Sequence, residues 1–193
     1  MKKALMIASV LIVAVISTAC INNMAVQELN NKAAEYMQKG DYESAMNRLQ
    51  ASLDLDSTMY ETYYNLGVAA INAQKYDKAI EALEGGIKVK SDFADFYYSL
   101  GIAQNSLADE ILDKDSDEVS DAERNAEINK ADDAQKEISA EDKTKAEDLK
   151  KQALDNLKKY YSMNPDAKDK EAVESLIAEI NSYFTGDTQK VAE

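Results

Sequence analysis

Tyr63-Tyr64-Asn65-Leu66-Gly67-Val68-Ala69 returns thirty-four positions later as Tyr97-Tyr98-Ser99-Leu100-Gly101-Ile102-Ala103. The same offset carries Tyr42 to Tyr76, Ala45 to Ala79, Leu49 to Leu83 and Ser57 to Ser91. Several independent pairs sharing one offset mark an internal repeat, and a period of about 20–50 residues means an array of small units that bury their faces on one another. Within the period the spacing is helical. Tyr63, Leu66, Gly67 and Ala70 stand at i, i+3, i+4 and i+7, one face of a helix. Tyr76, Ala79, Ile80 and Leu83 repeat that pattern after the polar turn Ala73-Gln74-Lys75. Each period therefore predicts a helix–turn–helix. Thr58 with Glu61 predicts a capping box at the start of the first helix of a period. Asp41 after Gly40 predicts the N-cap of a second helix. Gly67, Gly101, Ala45 and Ala79 fall where paired helices must approach closely, and Leu66 and Leu83 fill the remaining space.

These residues resemble the tetratricopeptide repeat, with its aromatic-x-x-Leu-Gly-x-x-Tyr, Ala-x-x-x-Phe and closing Pro. Residues 60–93 follow it through Tyr63, Leu66, Gly67, Ala79 and Leu83. Residues 26–59 follow it less closely, through Leu29, Ala33, Tyr36, Gly40, Tyr42, Ala45 and Leu49, with Lys32 in place of the leucine. A third repeat spans 94–166. Its first helix runs to about Ala108, its second resumes at Leu149, Ala153, Leu157 and Tyr160, and Pro165 holds the closing position. Ala153 then corresponds to Ala79, which requires an insertion over 109–148. Residues 167–193 supply a capping helix and tail, with a stripe of Ala172, Leu176, Ile177, Ile180 and Phe184 ended by Gly186. The expected fold class is all-α, a solenoid of about three helix–turn–helix repeats.

The insertion holds sixteen acids, six bases and no aromatic residue. Ser120 with Glu123 and Ser139 with Asp142 predict helix starts inside it. It reads as a protruding, mostly helical hairpin or as a solvated spacer. Asp113, Asp115, Asp117 and Asp121 imitate the opening of a calcium loop, but Glu118 stands where Gly is needed and Arg124 where the bidentate Glu belongs. No metal site is assigned.

The formal net charge of −14 argues against a nucleic-acid partner, since phosphate binding needs clustered cations. His is absent and Cys20 is the single cysteine, so Cys/His metal sites and His-based catalysis are excluded. No catalytic residue and no cofactor is assigned; a carboxylate-dependent enzyme is the remote alternative.

Lys2 and Lys3 precede an uncharged, largely apolar run from Ala4 to Ala19 that ends in small residues before Cys20. That is the pattern of a secretory signal over residues 1–19, with an uncleaved membrane anchor as the alternative. The junction is similar to the lipobox of bacterial lipoproteins, which implies a lipid on Cys20, a linker over 20–25 and attachment to a membrane of the cell envelope. Ser17 stands where that pattern commonly has Leu, so ordinary signal cleavage with an unmodified Cys20 stays open.

The repeat resemblance implies a concave groove lined by the first helices, which would hold a segment of a protein partner. It places Asn30, Ala34 and Met37 there from the first repeat, Tyr64, Val68, Ile71 and Asn72 from the second, and Tyr98, Ile102 and Asn105 from the third. In each adjacent tyrosine pair one ring is expected to pack inward and the next to face the groove. The positions at which relatives grip an acidic tail hold Asn30, Ala34, Asn65, Asp95 and Ser99, without a cation, so apolar, amide-bearing or basic segments are the expected ligands. Self-association through exposed helix faces is the alternative role.

Overall fold

The computed structural model describes residues 23–126 and 139–186 and, over 114–126, the backbone alone. The expectations for the signal segment, Cys20, the middle of the insertion at 127–138 and the tail from 187 onward lie outside those residues, as do the side chains of the calcium-like run beyond Asp113. Among the described residues there are seven helices and no strand. They are α1 over residues 23–38, then α2 Tyr42–Leu55, α3 Tyr60–Asn72, α4 Tyr76–Val89, α5 Asp95–Ala126, α6 Ala140–Met163 and α7 Lys170–Thr185. The chain divides into two compact units, Met1–Ser91 and Asp92–Glu193. None of the described helices is long and apolar enough to cross a membrane.

In the first unit α2 packs on α3 and α3 on α4. Ala45, Leu49, Ala79 and Leu83 are fully buried, as the repeat pattern requires. Gly67 lets α4 approach α3. A Cβ built there would lie 2.5 Å from Leu83 Cγ, closer than real side chains pack. The turns inside the first two repeats share one geometry. Gly40 (φ 74°) and Gln74 (φ 57°), one period apart, are both left-handed. The N–H after each reaches back five residues, Asp41 to the Tyr36 carbonyl and Lys75 to the Ala70 carbonyl, which closes the helix in a Schellman turn. Glycine meets that φ freely, whereas Gln74 holds it against a steric penalty.

Asp41 caps α2 as expected, accepting from the Ser44 N–H at 3.1 Å. The predicted Thr58–Glu61 box does not form. α3 starts behind Met59, with no side-chain cap. Both the N–H and the hydroxyl of Thr58 donate to Asp56 Oδ1, at 2.9 and 2.6 Å. A carboxylate two residues upstream forms this local turn at little entropic cost and so outcompetes the cap.

In the second unit α5 packs along α6, and α7 packs on α6. Gly101 repeats the work of Gly67: a Cβ there would meet Leu157 Cγ at 2.8 Å and the Ala153 carbonyl at 3.2 Å. α5 runs unbroken through Ser120, so the helix start predicted at Ser120–Glu123 is absent. An established helix already satisfies the N–H groups that a cap would serve. The Ser139 start is present, with Ser139 Oγ accepting from the Asp142 N–H at 3.0 Å. α7 buries Val173 and Ile180, with Leu176 and Ile177 packed beside them. The expected stripe is thereby rotated. Val173 takes the place assigned to Ala172, which is exposed, and Phe184 stays 39% exposed. Gly186 (φ 70°) ends the helix in the left-handed conformation.

Candidate partner-binding face

The first-helix side of the first unit is built on α1 and α3. Leu66, Gly67, Ala69 and Ala70 bury one side of α3, which leaves Tyr64, Val68 and Ile71 half-buried on its other flank. Met37 is half-buried on α1, and Ala34 and Asn72 are exposed. The Asn72 amide turns back to its own helix, donating to the Val68 carbonyl at 2.8 Å.

Asn30 has a different position. Its Nδ2 donates to the Val26 carbonyl at 2.9 Å and to Ser52 Oγ at 2.8 Å. Its Oδ1 accepts from the Thr62 hydroxyl at 3.1 Å. Ser52 and Thr62 are buried, so this amide ties α1, α2 and α3 together and is occupied inside the fold.

Beside it a pocket of about 310 Å³ opens between α1 and α3, lined by Gln27, Asn31, Glu61 and Asn65 among others. The side chains of Asn31 and Asn65 have no hydrogen-bond partner among the described residues. A larger cleft, about 560 Å³, lies between α2 and α4 over Met46, Leu53 and Leu66, with Lys78, Glu81 and Gly85 at its sides. The repeat pattern did not point to it. Its walls come from two helices a full period apart, and the one local signal is Gly85, against which the Tyr63 ring lies.

In the second unit Tyr97 and Tyr98 both pack against the core formed by α6 and α7. The expected division into one inward and one outward ring therefore does not hold there. Tyr98 stacks at a tilt on Tyr160, with ring centroids 5.2 Å apart. Tyr160 points its hydroxyl at both Asp169 oxygens, 2.9 Å from each. Burial first, then the hydrogen bond to Asp169, push the Tyr160 phenol up to about 12. Burial, followed by the Asp169 charge, also raises Tyr98. Ile102 is half-buried.

Asn105 is buried, not on an open face. Its Oδ1 accepts from Lys150 Nζ at 3.1 Å and its Nδ2 donates to Asp109 Oδ2 at 2.9 Å. Lys150 closes the triangle on Asp109 Oδ1 at 2.5 Å, and the Tyr183 ring centroid lies 5.1 Å from its ammonium. Its neighbour in the chain, Gln104, also buried, donates to Gln152 and accepts from Asn156. A polar seam thus joins α5 to α6. Sequence reasoning missed Lys150, because a lysine on a charge-rich helix carries no mark of burial. Among the described residues no group of His, Cys, Asp and Glu could hold a metal ion.

The tetratricopeptide repeat family model matches residues 36–101. Those residues are similar to the tetratricopeptide repeat. No curated protein matches the chain in sequence. Solved tetratricopeptide-repeat structures share its fold at low identity. The TPR2B domain of yeast Sti1, in its complex with pHsp70, superposes with a TM-score of 0.58 at 13% identity, over 83% of this chain and 98% of that one. The second such domain of human RPAP3, in complex with an HSP70 peptide, gives 0.58 at 12% identity, over 83% and 98%. The Yersinia enterocolitica type III secretion chaperone SycD, in complex with a peptide of the translocator YopD, gives 0.55 at 18% identity, over 82% and 93%.

Proposed function

We propose that this protein is a non-catalytic scaffold of the bacterial cell envelope that holds a segment of a partner protein on its first-helix face. The observation that carries the reading is the flank of α3 bearing Tyr64, Val68 and Ile71, half-buried on a helical frame, with Met37 half-buried on α1. Tyrosine and aliphatic side chains on a rigid element are efficient interface anchors, with large contact area and little entropy to lose. The relatives by fold that were solved with bound peptides support the same use. The absence of His from the chain supports a binding role over catalysis. In the second unit Tyr98 and Ile102 remain candidates for contact, while the amides of Asn30 and Asn105 hold the fold.

The apolar run from Ala4 to Ala19 and the position of Cys20 support export and attachment through lipid on that cysteine. At least two acyl chains are needed for stable anchoring. Removal of residues 1–19 takes Lys2 and Lys3 with it and shifts the net charge from −14 to −16. The lipid, not electrostatic attraction to anionic headgroups, then holds the protein at the membrane.

Photoreactive groups at Tyr64, and separately at Tyr98, test the scaffold reading by crosslinking in intact cells followed by mass spectrometry. One recurring protein captured at Tyr64, and missing when the group is moved to exposed Glu84, is the expected result. Equal capture at both places defeats the reading. Cys20→Ser should release the protein from the membrane fraction; unchanged fractionation defeats the lipid anchor.

A further inference from the structure

We propose that the pocket between α1 and α3 receives a basic side chain, Lys or Arg, of the docking partner segment, an inference that rests on the partner-binding reading of that face. The pocket is small, about 310 Å³, at the low end of ligand pockets of roughly 300–1,000 Å³ and suited to one side chain rather than a folded element. Glu61 is the one charged residue in its lining, and neither Lys nor Arg contributes to it. Glu61 has no ion-pair partner among the described residues. The side-chain amides of Asn31 and Asn65 have no hydrogen bonds there either, so each can turn its oxygen or its NH2 to the pocket, and Glu61 alone sets the sign. The Asn30 amide and the Thr62 hydroxyl, also in the lining, are bonded to each other and hold the wall in place.

The chemistry of these groups selects the ligand. A guanidinium has five donors and no acceptor, and an ammonium three donors and no acceptor. A carboxylate beside two unbonded amides that can offer their oxygens answers either cation with charge-assisted hydrogen bonds. An anionic tail would meet Glu61 without any lining cation to offset it. The N-terminal end of α3 adds roughly half a positive charge nearby, but Glu61 lies in that first turn and carries a full negative one. The net sign of the pocket is negative.

The test uses the full chain in detergent with three blocked peptides that differ at one residue: acetyl-Ala-Arg-Ala-amide, its citrulline analogue and its glutamate analogue. Binding is read by titration from the side-chain amide signals of Asn31 and Asn65 in nitrogen-15 NMR spectra. The arginine peptide should shift both signals and bind about fivefold tighter than the citrulline peptide, the factor expected of one partly exposed ion pair. Glu61→Gln should erase that preference and leave citrulline binding unchanged. Glu61→Lys should reverse the preference toward the glutamate peptide. Glu61 is exposed on the first turn of α3, and an unchanged amide spectrum elsewhere confirms that both variants fold. Glutamate binding as tight as arginine in the unaltered protein overturns the proposal. So does an arginine preference that survives Glu61→Gln, or the failure of every peptide to shift either amide. Partner capture at Tyr64 together with no arginine preference among the peptides keeps the scaffold reading and overturns this pocket alone; failure of capture at Tyr64 in the unaltered protein overturns the scaffold reading itself.

Discussion

The Lys150–Asp109 pair should respond asymmetrically to mutation, because the two partners sit at different depths. The Lys150 side chain is 6% exposed and that of Asp109 is 47% exposed. Asp109→Ala leaves an ammonium buried among Asn105 Oδ1 and the Tyr183 ring. Stranding one member of a fully buried pair costs about 3–5 kcal/mol. Water enters here through the space that Asp109 vacates, so the expected loss is about 2–3 kcal/mol, still well above that of an exposed pair. Lys150→Met removes the charge and keeps an apolar stem of similar length. Asp109 then remains half in water and keeps its bond from Asn105. That change should cost about 1–2 kcal/mol, since an apolar isostere often matches a buried ion pair but Asn105 Oδ1 loses its donor. The double variant should be more stable than Asp109→Ala alone, because no unpaired buried charge is left. Urea denaturation of the full chain, followed by far-ultraviolet circular dichroism, measures all three; in a thermal melt read the same way, each kcal/mol should move Tm by roughly 2–4 °C. If Lys150→Met costs as much as Asp109→Ala, the pair stabilises by simple attraction and the depth argument is wrong.

Gly101→Ala should destabilise by about 1–2 kcal/mol, because overpacking against Leu157 and the Ala153 carbonyl outweighs the better helix propensity of alanine; a rise in the urea midpoint would contradict the close approach. Asn30→Ala should cost about 2–3 kcal/mol by leaving the buried hydroxyls of Ser52 and Thr62 without their partner. Unchanged stability with weakened partner capture would instead return Asn30 to the binding face. Tyr160 is protonated more strongly in the folded chain (about 12) than its unperturbed value of 10.0. Its contribution is therefore complete below pH 10 and lost as pH rises from 10 toward 12, by up to about 2–3 kcal/mol. Tyr160→Phe should flatten that part of the stability curve relative to the unaltered protein, and parallel curves for the two would refute the shift.

The amino-acid sequence alone determines the repeat, because the same close helix approach is written twice at one offset. Gly67 under Leu83 and Gly101 under Leu157 are the physical content of that pattern. Ala45, Ala79 and Ala153 are fully buried, as their small size at matching positions implied. Local capping was legible at Asp41 and Ser139, where one side chain and one nearby N–H suffice. It was misread at Thr58, where Asp56 offers a nearer acceptor, and at Ser120, where a helix was already running. The capping stripe was misread by one position at Ala172, because periodicity gives the spacing of a face and packing selects its phase.

Only the tertiary structure decided which polar residues stay open at a pocket and which hold the fold. Asn30 joins groups 22 and 32 positions away, and Lys150 reaches back 41 positions to Asp109. Such bonds depend on which helices are brought together, so Asn30 and Asn105 looked in sequence like Asn65, whose amide is still unbonded. Burial separates them: a polar group enclosed by neighbouring helices must find its partner within the fold, whereas one at an open pocket can leave that partner to be supplied by another chain.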